Sequence, residues 1–315
     1  MTWPVTDRLR VTGGLRYTED EIAARVDDGS VDGTTGTDVV LTAGTLQTGK
    51  YDKLTYKLGG EYDVSKQSML YASYSTGFRS GGVDSNGGAY GPETVNAYEI
   101  GSKNQFFSNR LLINADAFYY LYSDYQLSYG IQIDGAAVDT LVVANVPGTS
   151  KVWGAEVEGR YLITPADKFD FAVSYEGSKF ADVTLATSCG GGSCTYTDLG
   201  GNTLPRMPLW TVNGGYEHVF TLSGGSNVTA HLDGEYKSTY QADIIPFDGS
   251  RQKASTIWNA RLTYAPAKAN YSISAYVNNL TDRAVLQMAH TAGPVNRYGI
   301  LNDPRTYGVI LQAHF

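Results

Sequence analysis

Residues 305–315 run Arg305-Thr306-Tyr307-Gly308-Val309-Ile310-Leu311-Gln312-Ala313-His314-Phe315. Taken in steps of two, Tyr307, Val309, Leu311, Ala313 and Phe315 fall on one side; Thr306, Gly308, Ile310, Gln312 and His314 fall on the other. Side chains of a strand alternate between its faces, so this is a strand with one face suited to hydrocarbon. Its length matches the roughly 9 to 11 residues with which a tilted strand crosses a bilayer, and it stops on an aromatic. A soluble sandwich can also end on an amphipathic strand. The rest of the chain must decide.

The chain has 315 residues, long for one soluble core but ordinary for a barrel, whose size grows with strand number. Charged residues make up 18%, below the roughly 25% usual in soluble domains. No apolar run approaches the length of a membrane helix, whereas a barrel hides its hydrophobicity in alternate positions. The 24 Tyr against 10 Phe fit a lipid boundary, because a phenol sets its ring among acyl chains and its hydroxyl among head groups. Thirty-six Gly and 10 Pro suit many strands joined by tight turns. A net charge of -8 argues against a nucleic-acid partner and is compatible with a lipopolysaccharide surface. The amino terminus has no apolar stretch of a secretory signal, so an exported protein is expected to start upstream of Met1.

About twelve segments alternate apolar and polar residues. They begin near Arg8, Leu54, Ser68, Tyr98, Ile113, Val142, Phe169, Trp210, Val228, Trp258 and Tyr271, and the carboxyl-terminal strand completes them. Connections alternate in length: short turns fall at 63–67, 107–110, 164–168, 221–227 and near Ala267, with long Gly-, Ser- and Asn-rich loops between. That alternation is the pattern of short periplasmic turns and long outer loops in membrane barrels. The polar faces carry full charges, among them Arg16, Lys57, Glu99, Lys103, Asp116, Asp124, Glu156, Glu158, Arg160, Asp233, Glu235 and Arg261. The apolar faces are rich in Ala, Gly, Tyr and Trp, which fill a protein core badly and meet lipid well. The expected fold is therefore an all-β, antiparallel, up-and-down transmembrane β-barrel of about twelve strands.

Several stretches go beyond pattern. Tyr71-Ala72-Ser73-Tyr74-Ser75-Thr76-Gly77-Phe78-Arg79-Ser80-Gly81-Gly82, then Pro92-Glu93-Thr94 and Tyr98-Glu99-Ile100-Gly101-Ser102-Lys103, resemble the barrel of TonB-dependent outer-membrane receptors, above all the ferric-siderophore group. So do Phe118-Tyr119-Tyr120, Asp124-Tyr125-Gln126, Val152-Trp153-Gly154-Ala155-Glu156-Val157-Glu158, Asn278-Asn279-Leu280-Thr281-Asp282-Arg283 and Pro304-Arg305-Thr306-Tyr307-Gly308-Val309. The resemblance implies a portion of a larger barrel of roughly 22 strands, from its carboxyl-terminal part. It also implies a plug and a TonB-engaging segment that this sequence does not contain, a ferric siderophore or similar chelate as ligand, and a cell outer-membrane location in a Gram-negative bacterium. Partners are then lipid, lipopolysaccharide and, through Tyr307, Val309, Leu311, Ala313 and Phe315, the barrel-assembly machinery. No resident cofactor is implied.

Candidate ligand-binding residues are the aromatics and cations of the outer loops: Arg79, Tyr90, Phe247, Arg251, His290, Arg297 and Tyr298. An arginine can hydrogen-bond a carboxylate or catecholate oxygen, and an aromatic ring can cover a flat chelate face. Ordinary loop or lipopolysaccharide contact is the plain alternative for each. Cys189 and Cys194, in Ser-Cys-Gly-Gly-Gly-Ser-Cys, read as a loop-closing disulfide in an oxidising compartment, with a metal clamp as the alternative. The four His show no metal or nucleophile spacing, so no enzyme is expected. A hydrolase would need His231 and Asp233 to meet a hydroxyl on a neighbouring strand. Glu156 and Glu158 read as partners for Arg160 and adjacent strands. The competing reading from another class is a self-closed small barrel acting as a passive pore.

Overall fold

The computed structural model describes residues 1–25, 28–31, 39–42, 44–84, 87–133, 140–268, 270–292 and 296–313. Thirteen strands pair in sequence order: β1 Thr2–Pro4, β2 Leu9–Arg25, β3 Leu46–Ser65, β4 Ser68–Arg79, β5 Glu93–Phe106, β6 Leu111–Ile133, β7 Thr140–Leu162, β8 Asp167–Lys179, β9 Trp210–Thr221, β10 Asn227–Lys237, β11 Ser255–Ala265, β12 Tyr271–Asn278 and β13 Thr306–Ala313. Every pairing along this path is antiparallel. β2 to β13 are the twelve expected strands. β1 is an addition: three residues lie below what alternation can reveal, and Trp3 pairs with Val11 to cover the lower edge of β2. That edge is thus partly paired.

The sheet is open, with β1 and β13 at its ends. A self-closed pore would need those ends to pair, which they do not among the described residues. Among the described residues no second layer covers the apolar faces. Leu15 is 78% exposed, Ile100 62% and Val309 72%, values that would be untenable for a water-facing surface this extensive and are natural against lipid. Tyr307 and Leu311 on β13 are equally open, whereas Phe315 lies outside the described residues. Cross-strand aromatics cover glycines on this face: Trp153 lies over Gly177, and a Cβ built on Gly234 would stand 2.6 Å from the Trp258 ring.

The charged face turns inward and is internally paired. Arg10 binds Glu61 at 2.9 Å and Asp63. Across β7 to β9 a chain of pairs runs from Arg160 to Asp170 at 2.7 Å, from Asp170 to Lys168 and from Lys168 to Glu217, both at 3.6 Å. This corrects the expected partnership of Arg160: its partner is Asp170, while Glu158 accepts from Asn114 and Glu156 from Ser174. Register decides, because Asp170 lies directly opposite Arg160 and Glu158 lies two residues along the same strand.

β6 and β7 reach 23 residues each, roughly 75 Å of strand, far more than a bilayer takes. Above the lipid they carry a buried apolar cluster, in which Leu127, Tyr129, Ile131 and Val146 pack against Phe180, Val183, Leu185, Leu199 and Leu204. A bulge makes this possible. The register passes from Ser123–Thr149 to Tyr125–Val146, and Asp124 takes a φ of 55°. Below it the odd-numbered residues of β6 face lipid; above it they turn inward. Asp124, expected on the inner face, is the hinge residue of that switch.

Candidate functional site

Three outer connections meet beyond the strands: 199–209, 238–254 and the hairpin Leu286–Ala292 with Asn296–Leu301. Their backbones are tied together. Arg206 N donates to Gln241 O at 2.7 Å, Ala242 N to Ser250 O at 2.7 Å, and Ala289 N to Ala242 O at 3.1 Å. Side chains add Leu286 N to Gln252 Oε1 and Tyr240 Oη to Leu286 O, both at 2.7 Å. Connections without regular structure hold a shape only when their backbone polar groups find such partners.

The junction encloses a cavity of about 340 Å³ lined by Arg206, Asp243, Met288, His290 and Tyr298 with apolar Leu141, Ala242 and Ile244. The His290 and Tyr298 rings meet edge to face at 5.6 Å. Asp243 is 8% exposed; its Oδ1 accepts from Ile244 N at 2.6 Å, and its Oδ2 has no hydrogen-bond partner. The His290 imidazole is near, its Nδ1 4.0 Å from that oxygen. Burial pushes the Asp243 carboxyl above its ordinary value, outweighing the backbone donors and His290. Among the described residues the Arg206 guanidinium has only the Met288 sulfur as a hydrogen-bond partner, at 3.8 Å. The cavity thus holds a cation and a buried acceptor, both open to a ligand, with an aromatic wall.

The seven residues expected at the mouth divide. His290 and Tyr298 line this cavity. Arg297, next to Tyr298, stacks its guanidinium 5.1 Å from the Phe247 ring centroid and donates to Asp248 O at 3.4 Å. Arg251 is exposed on the same loop, opposite Gln241 in a two-residue ladder. Arg79 belongs to a neighbouring recess of about 600 Å³, with Glu93, Tyr122, Tyr125, Leu204 and Met207. Residues 204–207 therefore form the partition between the two spaces. Tyr90 joins neither: its ring lies over Gly82, and its carbonyl accepts from Tyr51 Oη at 3.2 Å. Asp243, Arg206 and Met288 were not foreseen. The only trace of Asp243 is a lone acid between Ala242 and Ile244-Ile245, and of Arg206 its place between Pro205 and Pro208.

Cys189 and Cys194 form a disulfide across the hairpin Thr184–Gly190 and Ser193–Asp198. His231 sits between Glu217, 3.6 Å from Nδ1, and Asp233, 3.4 Å from Nε2, in an inner recess lined also by Arg160, Asp170 and Glu235. Among the described residues lining that recess none bears a hydroxyl, so the nucleophile a hydrolase requires is missing there.

Comparison with known proteins gives the same architecture a family. Residues 1–280 match the model for the TonB dependent receptor-like β-barrel. A curated relative, the probable TonB-dependent siderophore receptor PiuA of Acinetobacter baumannii, is 25% identical over 264 residues, which is 76% of this chain and 32% of PiuA. The chain thus spans about a third of the length of that relative. Among solved structures, the ferric yersiniabactin uptake receptor FyuA of Yersinia pestis superposes with a TM-score of 0.78 at 19% identity, over 100% of this chain and 44% of FyuA. The A. baumannii PiuA structure gives 0.74 at 21% identity, over 98% and 41%. This chain, with its inward charges, lipid-facing aromatics and open antiparallel sheet, belongs to the TonB-dependent receptor β-barrel family.

Proposed function

We propose that the chain is the carboxyl-terminal part of the barrel of a receptor that imports a ferric siderophore across the outer membrane of a Gram-negative bacterium. The observation that carries this reading is the relation to a probable siderophore receptor over three quarters of the chain. The mouth supports it chemically. Arg206 and Arg297 offer guanidinium donors to carboxylate or catecholate oxygens, and Tyr298 and Phe247 offer flat apolar cover to a chelate. Iron is cargo in this scheme, not a resident cofactor. Energy enters through TonB and a plug supplied by other parts of the receptor. The exposed apolar row of β13 serves as the signal for the barrel-assembly machinery. No step of bond chemistry is assigned to the chain, and the open sheet gives a passive pore no support.

The test is uptake of radiolabelled iron by iron-starved cells expressing the receptor, offered as ferric catecholate, hydroxamate and citrate chelates in turn. One class is expected to be taken up, and Arg206→Met with Tyr298→Ala should reduce it about tenfold or more, the loss of one charge-assisted hydrogen bond and an aromatic contact. Uptake of none of the three, with the receptor present in the outer membrane, would overturn the proposal.

A further inference from the structure

On the lipid-facing side of β7 and β8, Lys151 stands directly opposite Lys179. Both side chains are exposed, and among the described residues neither ammonium has an ion-pair or hydrogen-bond partner. Like charges facing each other across a ladder repel, so the fold retains an electrostatic cost with no internal compensation. Among the described strands no other lysine lies opposite a lysine; Lys168, for one, faces Glu217.

Register fixes the height of the pair. Tyr74, Tyr98, Tyr119 and Trp153 are successive cross-strand partners and form one aromatic row over β4 to β7. The next outward row up is Asn96, Leu121, Lys151 and Lys179. The two ammoniums therefore leave the wall about 7 Å further along the strands than the aromatic row. Aromatic rows of barrels mark the lipid interface, so the lysines stand among the head groups of the outer leaflet. The bulge that starts the upper part of β6 and β7 opens a recess of about 510 Å³ beside them, walled by Pro147, Gly148, Ala181 and Asp182. Asp182 is the only acid there and is not paired with either lysine.

We propose that Lys151 and Lys179 form a binding site for a phosphate on the head group of an outer-leaflet glycolipid. A phosphate between the ammoniums removes their repulsion, and lysine holds phosphate as a point charge without the planar match an arginine needs. Leu121 beside the pair and Trp153 in the row below present apolar surface to the acyl chains of the same lipid, which a soluble phosphate would leave unused. The inference rests on the outer-membrane barrel and not on the identity of the imported ligand.

The experiment is native mass spectrometry of the detergent-purified receptor titrated with diphosphoryl lipid A, with its dephosphorylated form and with inorganic phosphate as separate arms. Wild-type protein is expected to prefer the phosphorylated lipid, and K151Q/K179Q should bind it about thirtyfold more weakly, given the attraction of each lysine near an anionic surface. K151R/K179R should retain binding, and K103Q, whose lysine faces the lumen beside Tyr71, should leave it unchanged. Heat-modified gel mobility establishes that each variant is folded; were K151Q/K179Q unfolded, the preference of wild type for the phosphorylated form decides. Equal affinity in folded K151Q/K179Q, equal binding of both lipid forms, or displacement of the lipid by equimolar inorganic phosphate would each overturn the proposal.

Discussion

Replacing Val157 by arginine distinguishes a wall that faces lipid from one that faces water. Val157 lies on β7 midway between Trp153 and Tyr161, with Ala115 and Val173 as its cross-strand partners. It is 39% exposed, and exposure alone classes the change as a surface substitution worth no more than about 0.5 kcal/mol. A guanidinium at the middle of the hydrocarbon instead costs about 2–4 kcal/mol. Asn213 supplies the control: it is on β9 beside Ala172, equally exposed, and turned to the lumen, so Asn213→Arg should stay within about 0.5 kcal/mol. Equilibrium unfolding in guanidinium with the barrel in lipid vesicles, followed by tryptophan fluorescence, gives both values. Equal costs for the two variants would refute the assignment of faces, and with it the membrane reading of the whole sheet.

Other consequences are as direct. Cys189→Ser with Cys194→Ser opens a six-residue loop, worth about 2 kcal/mol by loop-closure entropy, and should speed protease cleavage within 184–198 while leaving the barrel folded. Because burial holds the Asp243 carboxyl above its ordinary value, ionising it opposes folding of the mouth; stability should fall as pH climbs from the unfolded-state value through the raised one, then level off. Asp243→Asn should remove that slope and raise the melting temperature at neutral pH, and an unchanged pH profile would show that Oδ2 is not the titrating group. Gly234→Val drives two methyls into the Trp258 ring and should cost about 1–3 kcal/mol, read from the same unfolding curves.

Much of this architecture was legible in sequence because a half-lipid, half-polar strand has a period of two that nothing else in the chain imitates. The twelve long strands, their short turns and the inward charges follow from that period. It fails where geometry breaks it. At Asp124 the bulge inverts the faces, so the upper half of β6, Gln126 to Ile133, could not be read as a continuation of the strand below. Partners across the polar face were equally out of reach: Arg160 has acids along its own strand and across it, and only register chooses Asp170. At the mouth, His290 and Tyr298 could be named as loop residues of suitable chemistry. Asp243 and Arg206 could not, since their juxtaposition depends on three separate connections folding onto one another.

The hairpin of β6 and β7, with 23 residues in each strand, has a further consequence for what stands above the membrane. With its dry cluster of Leu127, Val146 and Leu199 sitting wholly above the bilayer, it acts as a mast whose rigidity owes nothing to lipid. Its upper part stands beyond the membrane span, while the turn at 107–110 lies at the opposite end of the same strands. A protease applied from outside should therefore leave the submerged staves whole.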